Sequence, residues 1–499
     1  MDCLFAPSYA SLLLALPFLA ALLAYAARRR RTSTYVIATP DVEALHDKEP
    51  LVTAVELVDE KAKPARVPGS WLPPNHFDGN PWLVRILAEA DKSTADLHPV
   101  LQEFQATIEG DPILFMLFTR MFHEVPEAQD PTGRPQVKDY QHMLRAFNVV
   151  LSMGPPWAYT TAGEKGAIGA PITAIINWPM GTKAGREAFQ NEKVNQQIKN
   201  TLTAWGHFLS TPASAGVLSA KSGGWLCKDA LETMVEVATT HTTHNSHPKR
   251  AFEHFFVCDP SKHNLGFTSW DDFFTRRFTT HVRPTATPRN GEPLIVSACE
   301  SAPYRIASNV AARARFWLKA QPYSLIDMLN NSSYYHRFVG GTVYQAYLSA
   351  LAYHRWHAPV SGTVLKIEHL PGTYFAENYR EPVDPTDPVG PLGAVLRQSQ
   401  GYISEVAARM VMYIQADDPR IGLVCVIMVG MVEVSSCEST VGEGEHVEVG
   451  QEIGMFHYGG SSYCLLFEGG KKVEFVEAAK RFSGGKNIAV NSRLATIVD

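Results

Sequence analysis

The spacing of apolar residues changes period near residue 290, and this change constrains the fold more than any other feature of the chain. From about 77 to 260 the spacing is helical. Leu101, Phe104 and Ile108 stand at i, i+3 and i+7 before Gly110-Asp111-Pro112 punctuates. Tyr140 to Met153 forms a second stripe, ended by Gly154-Pro155-Pro156, and Phe189, Ile198, Leu202, Trp205 and Leu209 mark a longer one. Beyond 290 the apolar runs are short and rich in Val, Ile and Met: Leu294-Ile295-Val296, Val364 to Glu368, Leu423 to Val434. Such runs suit strands buried on one or both faces. Two helix signals interrupt them, at Tyr323–Leu329 and Ser404–Ile414. Helices first and sheet later predict an α+β chain. The expected parts are a hydrophobic anchor or targeting segment 1–31, a linker 32–76, a helical domain 77–262 and a β-rich domain 263–499.

The amino terminus stands apart. From Cys3 to Ala27 the chain carries no charge, and Arg28 to Arg31 follow at once. A run of that length can cross a bilayer as a helix, with the arginines holding its end in the cytosol. Asp2 stands where a secretory peptide would carry positive charge, yet Ala24-Tyr25-Ala26 has the form of a cleavage site, so removal of the segment is the competing outcome. The expectation is a membrane anchor through 3–27 with the catalytic part in the cytosol. Lys+Arg number 45 against 50 Asp+Glu, a net charge of −5 that offers no basic excess for nucleic acid. The seven cysteines, odd in number and without a CxxC pair, fit neither a disulfide scaffold nor a zinc ribbon and suggest a reducing compartment.

Three segments could carry chemistry. Gly459-Gly460-Ser461-Ser462 opens what should be a buried strand, Tyr463 to Phe467. Alone, the step reads as a tight turn, because glycine enters positive φ cheaply and serine is a common turn residue. In Tyr353-His354-Arg355-Trp356-His357-Ala358-Pro359 the proline and the strand pattern after it imply extended chain. There i and i+3 face opposite sides, so two histidines would have two tasks rather than one metal. The glycine-spaced stretch Val441 to Phe456 resembles the hammerhead of biotinyl and lipoyl carriers, but 441–470 contains no lysine to modify. Between these, Glu377 to Gly393 holds four prolines among acidic residues, a loop that is either disordered or a lid.

Taken in order, these segments resemble the phosphatidylserine decarboxylase family of pyruvoyl enzymes. The likeness runs from about Phe267 to Ile488. It rests on Phe267-Thr268-Ser269-Trp270-Asp271-Asp272-Phe273-Phe274-Thr275-Arg276, Pro322-Tyr323-Ser324-Leu325, the His354/His357 segment, Pro371-Gly372-Thr373-Tyr374-Phe375, Val429-Gly430 and the Gly-Gly-Ser-Ser step. The helical half, with Gln102-Glu103-Phe104, Gly224-Trp225-Leu226 and Ala298-Cys299-Glu300-Ser301, is similar to the fungal L-tryptophan decarboxylases of that family, and extends the likeness back to about residue 95.

The resemblance implies a chain that cuts itself between Gly460 and Ser461, leaving a small chain 461–499 and turning Ser461 into a covalent pyruvoyl group. Serine needs a base to become a nucleophile, and glycine on its amino side permits the strained turn. By the same resemblance His357 is that base, and His354 acts in decarboxylation as proton donor. Glu300 stands, displaced by one residue, where the family has an orienting aspartate, and Ser462 is the neighbouring hydroxyl. The pyruvoyl ketone does what pyridoxal phosphate does elsewhere, so neither that cofactor nor a metal is implied. The expected activity is decarboxylation of a free aromatic amino acid, L-tryptophan to tryptamine, in secondary metabolism. The alternatives are phosphatidylserine to phosphatidylethanolamine, or an inactive interaction protein. The family's habit adds a homodimer as an expected partner.

Overall fold

The computed structural model describes residues 81–125, 137–157, 171–239, 251–313, 323–349, 351–375, 400–431, 433, 436–458, 460–480 and 487–498. The anchor 3–27, the linker 32–76 and the proline-rich loop 377–393 lie outside the described residues. Among those described, no helix is long and apolar enough to cross a membrane.

The first half is helical, with α1 (Pro81–Lys92), α2 (Pro99–Glu109), α3 (Pro112–His123), α4 (Tyr140–Val150), α5 (Pro171–Met180), α6 (Lys183–Phe189), α7 (Glu192–Leu209) and α8 (Lys228–Thr239). Local chemistry sets their ends. Asp111 accepts the amides of Ile113 (3.1 Å) and Leu114 (3.4 Å) at the start of α3, with Pro112 in the first turn. Asn191 does the same for Lys193 (2.9 Å) and Val194 (3.4 Å) at the start of α7. On α7, Val194, Ile198, Leu202, Trp205 and Leu209 are buried, as their spacing requires. Phe189 belongs to α6 rather than to that helix.

After α9 (Trp270–Phe274) the chain becomes mostly strand. A seven-stranded antiparallel sheet has the order β2-β3-β11-β7-β6-β5-β9, formed by β2 (Ala302–Ser308), β3 (Thr342–Leu348), β11 (Gly460–Phe467), β7 (Leu423–Met431), β6 (Arg409–Ala416), β5 (Gly362–Leu370) and β9 (His446–Val447). Two three-stranded sheets accompany it. One has β1 (Leu294–Val296), β13 (Arg493–Val498) and β12 (Lys472–Phe475), the other β4 (Arg355–His357), β10 (Glu452–Phe456) and β8 (Cys437–Ser439). Short helices α10 (Leu325–Met328), α11 (Tyr335–Phe338) and α12 (Gln400–Val406) connect them.

All nine residues of β7 are buried, because both faces of the sheet are covered. Val424, Val426 and Met428 join one apolar cluster with Met410 and Met412, while Leu423, Cys425, Ile427 and Val429 join another with Val411 and Tyr413. The helix expected over Ser404–Ile414 is corrected by the same fact. It is the end of α12 followed by the buried strand β6. A strand apolar on both faces loses its period of two, so the run can be taken for helix. The helical core takes in Tyr374, Phe375, Ala408 and Tyr458 from the second half, so it meets the sheet at one end.

Candidate active site

The expected cleavage step lies on β11, an interior strand of the large sheet. In the backbone ladder Ser461 stands opposite Leu348 of β3 on one side and Gly430 of β7 on the other. A strand hydrogen-bonded on both sides holds its backbone in one register, and Gly430 brings no side chain to the neighbouring position. Ser462 is wholly buried and committed. Its hydroxyl donates to the Ala346 carbonyl (3.1 Å) and accepts from the Gln345 amide (3.1 Å). Gln345 also donates to the Gln400 carbonyl (2.9 Å) and accepts from the Tyr323 hydroxyl (2.6 Å). A hydroxyl whose proton is already given to a carbonyl is poorly placed as a nucleophile.

The two histidines have separate surroundings. His354 is wholly buried, its ring stacked on Phe274 of α9 at 4.0 Å. The Phe274 ring lies 5.4 Å from Tyr458, three residues before Ser461, and Tyr458 in turn packs against Trp205 of α7 at 5.3 Å. Arg276 donates to the carbonyls of Leu351 (2.7 Å) and Ala352 (3.2 Å), so the turn leading into His354 is tied to the end of α9.

His357, on β4, is held through both ring nitrogens. Nδ1 is 2.8 Å from the Gly450 carbonyl, which can only accept, so Nδ1 carries the proton. Nε2 therefore presents its lone pair, 3.0 Å from the Tyr353 hydroxyl. Burial pulls the His357 pKa below the ordinary histidine value, with the Gly450 carbonyl and the charge of Glu452 opposing it. At neutral pH the ring is an uncharged base of defined tautomer.

Glu300 is near but does not orient His357. Its segment does reach the site, since the Ala298 carbonyl accepts the His357 amide (2.9 Å) and the Ser297 hydroxyl is 3.2 Å from that of Tyr463. The carboxylate itself takes Arg283 as a two-pronged partner, Nε at 2.9 Å and a terminal nitrogen at 2.5 Å, and accepts the Val490 amide at 2.9 Å. A buried carboxylate needs charge neutralisation first, and the guanidinium fork provides it better than an imidazole could. The Tyr353 hydroxyl and the Gly450 carbonyl meet the two ring nitrogens of His357, and the Asn491 side chain also bonds the ring.

Tyr353 carried no signal as a partner of His357, because on the extended chain expected there i and i+4 lie about 13 Å apart. Sequence reasoning missed Arg283 and the group around His457. That ring lies between Asp271 (2.9 and 3.0 Å from Nδ1) and Glu438 (2.9 Å from Nε2). Burial works against its charge, but the two carboxylates prevail and hold its pKa above the ordinary value. Asp271 is 186 residues away in sequence, so no local spacing could reveal the pair. Among the described residues no cluster of three or more His, Cys, Asp or Glu is placed to hold a metal ion.

Comparison with known proteins identifies the family. Two family models match, both described as phosphatidylserine decarboxylase, over residues 98–234 and 270–490. An L-tryptophan decarboxylase of Psilocybe cubensis is 36% identical over 404 residues, covering 80% of this chain and 86% of its own. The decarboxylase iboD of Amanita muscaria is 41% identical over 341 residues, 66% of this chain and 91% of its own. A phosphatidylserine decarboxylase proenzyme of Schizosaccharomyces pombe is 29% identical over 41% of this chain and 19% of its own.

The chain belongs to the phosphatidylserine decarboxylase family.

It is therefore a carboxy-lyase of a pyruvoyl-dependent family. Within that family the second matched region begins at Trp270 on α9 and ends at Val490, the residue whose amide Glu300 accepts. It contains Glu300, His354, His357 and Ser461 together. The first matched region runs from α2 into α8 and includes α7, the helix that packs on Tyr458.

Proposed function

We propose that this protein decarboxylates a free aromatic L-amino acid, L-tryptophan to tryptamine, with a pyruvoyl group made from its own Ser461. The observation that carries the reading is the likeness to L-tryptophan decarboxylase across the helical half as well as the sheet, over 86% of that relative's length. The residues present fit the group. Ser461 follows a glycine at the start of an interior strand, and its neighbour Ser462 is already committed.

Self-processing is read as follows. Uncharged His357, once its Nε2 exchanges the Tyr353 hydroxyl for that of Ser461, accepts the Ser461 hydroxyl proton, and the hydroxyl oxygen attacks the Gly460 carbonyl, converting the amide to an ester. β-Elimination then takes the Cα proton of residue 461 and expels Gly460 as a carboxylate, and the dehydroalanine left at 461 tautomerises to an imine that water hydrolyses to the ketone, releasing ammonia. The small chain 461–499 stays in place because β11 is laddered to β3 and β7, while β13 pairs with β1. The pyruvoyl group, once formed, supplies the sink for the electrons released as CO2 departs. His354, enclosed against Phe274, then returns a proton to the product carbon while its burial keeps bulk water away. The pairing of His357 with Gly450 supports its role as base, because that contact leaves the lone pair on Nε2. Residues 3–27 are read as a membrane anchor with the catalytic part on the cytosolic side, which fractionation of a deletion variant lacking 1–31 tests.

Purified protein incubated separately with tryptophan, tyrosine, phenylalanine and phosphatidylserine vesicles tests the activity, with amine products measured. Tryptamine as the principal product is the expected result. Phosphatidylethanolamine alone would replace this reading with the lipid one.

A further inference from the structure

A cavity of ≈ 360 Å3 lies where the helical half meets the end of the large sheet, between α7 and the ends of β5 and β6. Its wall is apolar at Leu202, Leu370, Tyr374 and Ala408, and its exposed rim carries Lys199 and Ser436. Two independent connections tie it to the cleavage step. The Ala408 carbonyl accepts the amide of Gly430 (2.9 Å), the residue opposite Ser461. With strands about 4.8 Å apart, that places Ala408 roughly 10 Å from Ser461. On the other side, the Ser436 carbonyl accepts the amide of His457, four residues before Ser461 (3.0 Å).

We propose that this cavity seats the aromatic side chain of a free amino acid whose α-amine reaches position 461, and that Leu202 sets the depth of the seat. The inference rests on the decarboxylase reading above and deepens it. Three features favour an aromatic ring over a phospholipid headgroup. The volume falls in the range of about 300–1,000 Å3 usual for small-molecule sites and leaves little space for acyl chains. The flat wall is Tyr374, whose backbone amide is fixed to α7 by the Asn195 side chain (3.1 Å). Arg409, the buried cation of the lining, spends its donors on the carbonyls of Met328, Ala407 and Asp327 (2.6 to 2.8 Å), which leaves the exposed rim residue Lys199 as the lining's other cation and none inside for a phosphate. Leu202 also borders a neighbouring, almost filled apolar cavity lined by Phe104, Ile198 and Phe375. It is the partition between the two spaces, and shortening it lengthens the seat.

The test uses two variants of the full-length, self-processed protein beside the parent, with kcat and KM measured for tryptophan and for ring-substituted tryptophans. Leu202→Ala should raise the ratio of kcat/KM for substituted over plain tryptophan by about 10-fold or more, since one methylene-sized space is worth roughly 10–200-fold in such discrimination. Thr203→Trp, at an exposed position lining the cavity, should raise KM for tryptophan by about 10-fold while the small chain still forms. Thr203 lies outside the core, so that variant remains informative if Leu202→Ala fails to mature. A parent that makes tryptamine, with variants that mature and keep the parental preference and KM, overturns the cavity assignment alone. A parent that releases no amine from any aromatic amino acid overturns the decarboxylase reading instead.

Discussion

His354 and His357 stand three residues apart on one segment, and the structure gives them different surroundings. His357 has each ring nitrogen facing a defined partner, the Gly450 carbonyl and the Tyr353 hydroxyl. His354 is placed by an aromatic face, with Phe274 lying flat against it. The hydrogen bonds of His357 fix its tautomer, and the stacking of His354 fixes the plane of its ring. The first suits a base that must act once on a fixed hydroxyl. The second suits a group that handles protons at every turnover.

That contrast can be broken most decisively at the nucleophile. Ser461→Ala should abolish formation of the fragment of about 4 kDa that residues 461–499 would give, and a band of that size in the variant on denaturing electrophoresis would remove Ser461 from the scheme. Next in size, His357→Gln should slow fragment formation by ~10²–10⁴-fold, the usual worth of a general base, whereas His354→Gln should mature at the parental rate and lose a similar factor in kcat. Exchanged phenotypes, seen in a time course of processing beside amine release, would reverse the two assignments.

The Arg283–Glu300 pair separates positioning from stability. Glu300→Ala leaves a buried guanidinium uncompensated and should cost about 3–5 kcal/mol in denaturant unfolding. The fraction that folds should still cut itself within a few-fold of the parental rate. A processing defect as large as that of His357→Gln in fully folded protein would restore Glu300 as the orienting group. The smallest effects concern the tautomer. Burial lowers the His357 pKa, so the uncharged base predominates above the ordinary value near 6.5. Processing should be flat from pH 7 upward and fall only as pH drops through a midpoint below that value. Tyr353→Phe should change the plateau rate by only a few-fold, and a plateau that began above pH 7 would contradict the lowered pKa.

Much of the site was legible in the chain. Gly460-Ser461 and the histidine segment stand out by their local chemistry, and the structure gives the two histidines separate surroundings. The helical stripes at Leu101, Phe104 and Ile108 and along α7 were equally plain, because an amphipathic period reports the buried face directly. Where both faces are buried the period vanishes, and β6 passed for a helix.

What the sequence by itself determined is therefore the order of elements, helices before sheet, and which residues are candidates for chemistry. Only the tertiary structure decided their partners. Glu300 met Arg283 rather than His357, His457 met an aspartate far along the chain, and Leu202 came to stand between two cavities. Local spacing records propensity and face, whereas burial forces each charge and lone pair to find whichever complementary group the packing brings within reach.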